Sequence, residues 1–169
     1  MHSQSFTFHH ETHAILRTSV QAAFEHLDDF RKLSAHMERP SAMMLGSRME
    51  IFTDDSSGRA VGSRVRMSGK VMGMSLSLEE VVVQREPPLR KAWETVDAHL
   101  LVIDQYRLGF ELEPRGEACH LRVFINYDWP RRALGRLGAA LFAKSYARWC
   151  TQQMVDDAVK QFGVIDSTH

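Results

Sequence analysis

Apolar and polar residues alternate with a period of two along most of the chain, and with a helical period at two places. From Ser5 to Leu16 the pattern predicts an extended strand, with Phe6, Phe8, His10, Thr12 and Ala14 on one face and Thr7, His9, Glu11 and His13 on the other. Thr18-Ser19-Val20-Gln21 reads as a helix start, with Thr18 as N-cap and Gln21 closing a reciprocal capping box. Val20, Ala23, Phe24 and Leu27 follow as one apolar stripe. A second short helix is expected through Phe30 to Met37, ended by Pro40.

Strands then succeed one another. The first runs from Ala42 to Thr53 and reaches a turn at Asp54-Asp55-Ser56-Ser57-Gly58. Val61, Ser63, Val65, Met67, Gly69 and Val71 alternate against Arg64, Arg66, Ser68 and Lys70, which makes a half-buried strand with a basic outer face. Met74, Leu76, Leu78, Glu80 and Val82 alternate with Ser75, Ser77 and Glu79, and Pro87-Pro88 closes that strand. Lys91 to Val96 forms a short strand containing Trp93, and Leu100 to Leu112 a longer one that places Asp104, Tyr106, Leu108 and Phe110 on one face. After a turn at Pro114-Arg115-Gly116-Glu117, Cys119, Leu121, Val123, Ile125, Tyr127 and Trp129 share a face. The links are short and polar with no helical crossover, so the sheet is expected to be antiparallel.

Pro130 to Phe162 reads as one long closing helix, about 48 Å at 1.5 Å per residue. Its apolar positions change phase midway. Leu134, Leu137, Gly138, Leu141, Phe142, Ser145 and Trp149 form a first stripe, and Ala147, Thr151, Met154, Val155, Ala158 and Phe162 a second. The two lie roughly a third of a turn apart, so the helix either bends, near Gly135 or Gly138, or is buried on two sides in its middle. A strand, short helices, many strands and a long closing helix predict an α+β fold with a sheet wrapped around the helix and room between them for a ligand.

The 169 residues suit a single domain spanning 1–169. Lys plus Arg and Asp plus Glu balance at 21 each, which removes the bulk field that draws in nucleic acid, and no nucleic-acid partner is expected. Cys119 and Cys150 form no disulfide framework or Cys-x-x-Cys pair, as in a reducing compartment. Met1 to His10 has neither the basic start nor the apolar core of a signal peptide, and no apolar run approaches the roughly 20 residues that span a bilayer. A cytoplasmic protein, monomeric or homodimeric, is the expectation.

This order of elements resembles the helix-grip superfamily that includes START lipid-transfer domains and pollen-allergen-like proteins (SRPBCC). It is most similar to the bacterial polyketide cyclase/dehydrase-like branch. The likeness is carried by Thr18-Ser19-Val20-Gln21-Ala22-Ala23-Phe24 after the first strand, by Glu79-Glu80-Val81 running into Pro87-Pro88, and by the closing helix. It covers nearly the whole chain and specifies a fold rather than an activity. Where many relatives carry a Pro-x-Trp-like stretch after the first helix, this chain has Leu33-Ser34-Ala35-His36-Met37-Glu38-Arg39-Pro40. The resemblance implies a curved antiparallel sheet of about six to seven strands around the long helix, with two short helices after the first strand. It also implies a hydrophobic small molecule or lipid held between sheet and helix, with some members catalysing cyclisation, dehydration or hydrolysis and others only carrying or sensing.

Turning each apolar strand face inward takes a few polar side chains with it: His10, Glu80, Asp104, Tyr106 and Tyr127, joined from the helix by Tyr146 and Trp149. A carboxylate facing an apolar cavity costs several kcal/mol unless it is paired or neutralised. Asp104 and Tyr106, two apart on one face, would set an acid beside a hydrogen-bond donor, as enolising or dehydrating a carbonyl compound requires, and Tyr127 is a further candidate. A one-residue slip of register would send all of these to solvent, and Glu80 beside Glu79 leaves its own face open. The expected ligand-lining set is His36, Met67, Met74, Leu76, Trp93, Asp104, Tyr106, Tyr127, Phe142, Tyr146 and Trp149. Methionine adapts to varied apolar ligands, although filling the core is its commoner use.

His9 and His13 share a strand face but lie roughly 13 Å apart at strand spacing, too far to chelate one ion, so no metal site is expected there. No phosphate-cradling loop, nucleophile elbow or dinucleotide fingerprint occurs, and no cofactor is expected. Arg131, Arg132, Arg136, Lys144 and Arg148 precede any acidic residue on the tail helix. Arg136, Lys144 and Arg148 lie off the apolar stripe and would suit a membrane surface or anionic partner, or be a solvated face, as charge runs usually are. Three readings follow: a container for a hydrophobic molecule or lipid, a cyclase or dehydratase acting on a polyketide-like or aromatic substrate, and an interaction protein using the basic helix face.

Overall fold

The computed structural model of the chain describes residues 5–29, 49–71, 74–99, 105–128 and 136–165, with the side chains of 49, 71, 74, 76, 98, 99 and 136–142 left undescribed. Strand β1, Phe8–Leu16, leads into helix α1, Val20–Asp28; β2 (Met49–Thr53), β3 (Arg64–Val71), β4 (Met74–Glu86), β5 (Arg90–His99), β6 (Tyr106–Arg115) and β7 (Ala118–Tyr127) follow, and helix α2, Arg136–Phe162, comes last. The strands form one sheet in the order β1-β7-β6-β5-β4-β3-β2. Every neighbouring pair is antiparallel, the sequential pairs from β2 to β7 and the distant β1–β7 pair alike. Helix α2 packs against β1 and β7 and touches α1, which itself lies on β6 and β7. The positions of the second short helix expected at Phe30–Met37, and of Pro130 and Leu134 at the head of the tail helix, fall outside the described residues.

The sheet's inner face follows the alternation in the sequence. Val65 and Met67 on β3, Leu78 on β4, Trp93 on β5, Leu108, Phe110 and Leu112 on β6, and Leu121, Val123 and Ile125 on β7 are all buried. Gly109 lies where β5 and β6 come closest, and a Cβ there would stand 2.7 Å from the Lys91 carbonyl oxygen. On α2 the described burial runs through Ala143, Tyr146, Ala147, Cys150, Thr151, Met154, Val155 and Ala158, one stripe at helical spacing. Ala147, Thr151, Met154, Val155 and Ala158 are the expected second stripe; of the first, only Ser145, exposed, and Trp149, half-buried, have described side chains. The stripe consists largely of small residues, which let the helix approach the sheet closely but carry little hydrophobic signal. Thr151 marks that approach: its Oγ1 lies 2.8 Å from Thr12 Oγ1 on β1.

Three further boundaries differ from the pattern. Ser19, not Thr18, caps α1, accepting a hydrogen bond from the Ala22 amide, and Gln21 donates instead to Glu25 one turn on, so no capping box forms. Val61 is 62% exposed. It precedes Gly62, whose φ of +87° belongs to the turn into β3, so the strand begins at Arg64, with Ser63 just before it already buried as expected. Strand β5 continues to His99, beyond the break expected after Val96, because a bulge at that point lets its pairing with β4 resume at Asp97 and Ala98.

Both helices are fastened at their C-terminal ends. Gly163, at φ +76°, turns the chain out of α2; its carbonyl accepts from the Arg17 amide, and the Ile165 amide donates to the Ile15 carbonyl beyond it. At the end of α1, Asp28 is 5% exposed and receives two hydrogen bonds from the Arg85 guanidinium and one from Lys91 Nζ. Lys91, fully buried on β5, donates a second bond to the Asp28 carbonyl oxygen. Burial alone would raise the Asp28 carboxyl, but the Arg85 and Lys91 hydrogen bonds outweigh it and hold the group below its ordinary value.

Candidate functional site in the grip of sheet and helix

One row of residues crosses all seven strands. The pairing register sets Phe8 beside Tyr127, Tyr127 beside Tyr106, Glu80 beside Thr95 and Val65, and Val65 beside Thr53. Thr95 completes the row between β5 and β6 with its side chain rather than its backbone. Its Oγ1 accepts from the Tyr106 amide at 2.7 Å and donates to the Tyr106 carbonyl at 2.9 Å. The bulge that extends β5 lies in the same place, and the β4–β5 register shifts between Glu79 and Glu80. Bulges re-aim side chains, and this one stands next to the acid that points inward.

Glu79 and Glu80 take opposite faces, which settles the ambiguity of the pair. Glu79 meets Arg64 at 2.6 Å and Arg66 at 3.1 Å on the outer face. Glu80 is 2% exposed, and its Oε1 accepts a short hydrogen bond from the Tyr106 hydroxyl. Its Oε2 is buried with no hydrogen-bond partner among the described residues. Burial pushes the Glu80 carboxyl up to about 8, with the Tyr106 hydroxyl and the Trp93 indole drawing it part of the way back.

Helix α2 brings Tyr146 and Cys150, one turn apart, to the same cluster. Both interact electrostatically with Glu80, and both influence Tyr106. Burial raises the hydroxyls of Tyr106 and Tyr146 well above their usual value and the Cys150 thiol to about 12. All three are therefore neutral hydrogen-bonding groups at ordinary pH. Among the described groups of this cluster, Glu80 alone changes charge near neutrality.

Thr95→Val tests the side-chain link in this row. It removes the partner of a buried amide and a buried carbonyl while keeping the shape of the side chain. It is expected to destabilise the protein by about 1–3 kcal/mol, with Thr95→Ser nearly neutral, in paired thermal melts. Equal melting temperatures for Val and wild type would show that the backbone finds other partners.

Several sequence-predicted residues thus come together. Tyr106, Tyr127 and Trp93 are buried on the inner face, Met67 lies on β3 two residues from the row, and Tyr146 interacts electrostatically with Tyr106 while packing against Trp149, ring centroids 5.7 Å apart. Tyr127 packs against Phe8 at 5.5 Å, to one side of the acid cluster. His10 occupies the expected inner face of β1, where burial first and then Arg148 lower its pKa. His36 and Asp104 lie outside the described residues, as do the side chains of Met74, Leu76 and Phe142. Sequence reasoning turned Glu80 inward but left it out of the lining set, and it missed Thr95 and Cys150. The i, i+4 spacing of Tyr146 and Cys150 was a usable signal; for Thr95 there was none, because its role depends on a bulge.

The outer face carries separate features. His9 and His13 both reach Glu11, whose carboxyl is held at about 2 by the His9, Arg122 and His13 hydrogen bonds. Among the described residues no group of three or more His, Cys, Asp or Glu is arranged to hold a metal ion. Phe52, Thr53, Asp54, Arg64, Arg66 and Glu79 border an open depression of about 230 Å³. Lys144 and Arg148 are exposed on α2, and the side chain of Arg136 is not described. No helix among the described residues is long and apolar enough to cross a membrane.

A seven-stranded antiparallel sheet closed by a long C-terminal helix is the helix-grip architecture of SRPBCC-type proteins. Solved structures with this architecture are similar along nearly the whole chain. A protein from Thermus thermophilus matches with a TM-score of 0.66 at 12% identity, covering 91% of this chain and 96% of its own. Major latex-like protein 151 from Panax ginseng matches with a TM-score of 0.54 at 13% identity, covering 89% and 99%. The di-domain ARO/CYC StfQ from the steffimycin biosynthetic pathway matches with a TM-score of 0.62 at 15% identity over 90% of this chain and 48% of its own, about the share of one of its two domains. At these identities the likeness is one of fold. No family model matches the chain, and no curated protein matches it in sequence.

Proposed function

We propose that the chain is a single ligand-binding domain that holds a small hydrophobic molecule or lipid between the inner sheet face and α2. The observation that carries this reading is the Glu80–Tyr106 pair. Among the described residues its acid has one satisfied and one unsatisfied oxygen, on the inner face that carries Met67, Leu78 and Trp93, and it interacts with Tyr146 of α2. Ligand sites are mostly apolar with a small number of placed polar groups, and a buried polar atom without a partner calls for one. The helix-grip neighbours support the reading, since a domain of the same architecture occurs in StfQ of a biosynthetic pathway.

The test is fluorescence titration with N-phenyl-1-naphthylamine, followed by displacement with extracted lipids and native mass spectrometry. One bound dye per chain, displaced by an apolar molecule that travels with the protein, is the expected result. A protein that takes up neither dye nor lipid at saturating concentration overturns the reading.

A second reading, a cyclase or dehydratase acting on a polyketide-like or aromatic substrate, is favoured by the same acid. A carboxyl that titrates at about 8 can give up and regain a proton near neutral pH, as general acid–base work requires. On this reading Glu80 takes the role the sequence suggested for Asp104, with the Tyr106 hydroxyl as the neighbouring donor.

A further inference from the structure

The two oxygens of Glu80 are not equivalent. Oε1 accepts the Tyr106 hydroxyl proton, and Oε2 is buried without a partner among the described residues. The Tyr106 hydroxyl and the donor-only Trp93 indole both act on the carboxyl as donors, so the neutral acid keeps its proton on Oε2, a hydrogen-bond donor with no described acceptor. The groups acting on Glu80 come from the described elements around it: Tyr106 from β6, Trp93 from β5, and Tyr146 and Cys150 from α2, while β3 sets only the apolar Val65 beside it. The three that titrate are all neutral across the physiological range, and no described basic side chain acts on the acid. Lys91, on the same face of β5, gives two bonds to Asp28 instead.

We propose that Glu80 Oε2 is the polar anchor of the ligand site and selects uncharged apolar molecules bearing a carbonyl oxygen over those bearing a carboxylate. A carbonyl accepts the stranded donor and completes the pair. A carboxylate entering the same place meets no described counter-charge and a poorly solvating interior, which disfavours an unpaired charge. The inference rests on the interior being a binding site, as proposed above.

Decan-2-one and decanoate, matched in chain length, distinguish the two when each displaces N-phenyl-1-naphthylamine, which carries no carbonyl. At pH 7 the wild-type protein is expected to bind the ketone at least tenfold more tightly than decanoate. Glu80→Leu is expected to weaken the ketone about tenfold more than it changes the dye, the ratio of the two dissociation constants being the readout. Glu80→Gln keeps an N–H donor at the Oε2 position and is expected to hold the ketone within about threefold. Between pH 7 and 9.5 ketone affinity should fall for wild type, as Glu80 loses its proton, and stay level for Glu80→Gln.

If dye binds all three proteins but the ketone ignores Glu80→Leu, the anchor is wrong and the container stands. A wild-type protein that binds neither dye nor ketone removes the container and the anchor with it. Should Glu80→Leu not fold, the pH profiles decide, and level profiles for both wild type and Glu80→Gln overturn the proposal.

Discussion

Glu80→Gln is expected to be more stable than wild type at pH 8 to 9 and no more stable at pH 4. An acid whose folded pKa is raised keeps its proton in the folded state while the unfolded chain releases it, so stability falls as pH rises between the two values. For Glu80 the window runs from 4.5, the ordinary value, to about 8. At about 1.4 kcal/mol per unit the loss reaches about 5 kcal/mol by the top of that window and then levels off. Glutamine has no proton to lose, and its carbonyl oxygen still accepts from Tyr106. The carboxyls held below their ordinary values, Glu11, Asp28, Asp54 and Glu79, act in the opposite sense, losing stability as pH falls. They are shared by both proteins and cancel in the difference. Urea denaturation of the pair at pH 4, 6, 8 and 9 measures it, and parallel curves across that range would show that Glu80 ionises normally.

Asp28→Asn is expected to destabilise the protein by about 3–5 kcal/mol, because it leaves the buried Lys91 ammonium without a counter-charge and Arg85 without its bidentate acceptor. Lys91 suffers most, being fully buried and bound only to Asp28 in the described contacts, whereas the Arg85 side chain is 26% exposed and can turn to water. Adding Lys91→Met to Asp28→Asn should recover much of the loss, since an apolar side chain of similar length fills the space without a charge. Wild type, both single variants and the double variant form a cycle readable by chemical denaturation. If Asp28→Asn lies within about 1 kcal/mol of wild type, solvent reaches Lys91 after all. The pH dependence has a defined sign: Asp28 is depressed, so its contribution is complete above the ordinary carboxylate range and disappears as pH falls through its folded value.

The inward side of each strand was legible because one face of an antiparallel sheet must be apolar, and a period of two writes that face into the chain. Tyr106, Leu108, Phe110 and Leu112 follow it without exception, as do Cys119, Leu121, Val123, Ile125 and Tyr127. Where the reading failed, a local device interrupted the period. Val61 precedes a turn glycine, and β5 resumes its pairing past a bulge. Asp28, Arg85 and Lys91 gave no sign of their partnership, since they lie on three elements and meet only when α1 ends over β4 and β5.

The sequence by itself determined the order of elements, the antiparallel sheet, the closing helix and which side chains turn inward, all consequences of chain-local periodicity. Only the tertiary structure decided that Glu80 meets Tyr106 in one cluster with Tyr146 and Cys150, and that one of its oxygens has no hydrogen-bond partner among the described residues. Burial and pairing between residues 26 and more positions apart are properties of packing, which no local pattern encodes. A carboxyl's charge depends on the medium around it, so an acid that reads as an ordinary glutamate in the chain becomes a neutral donor inside the fold.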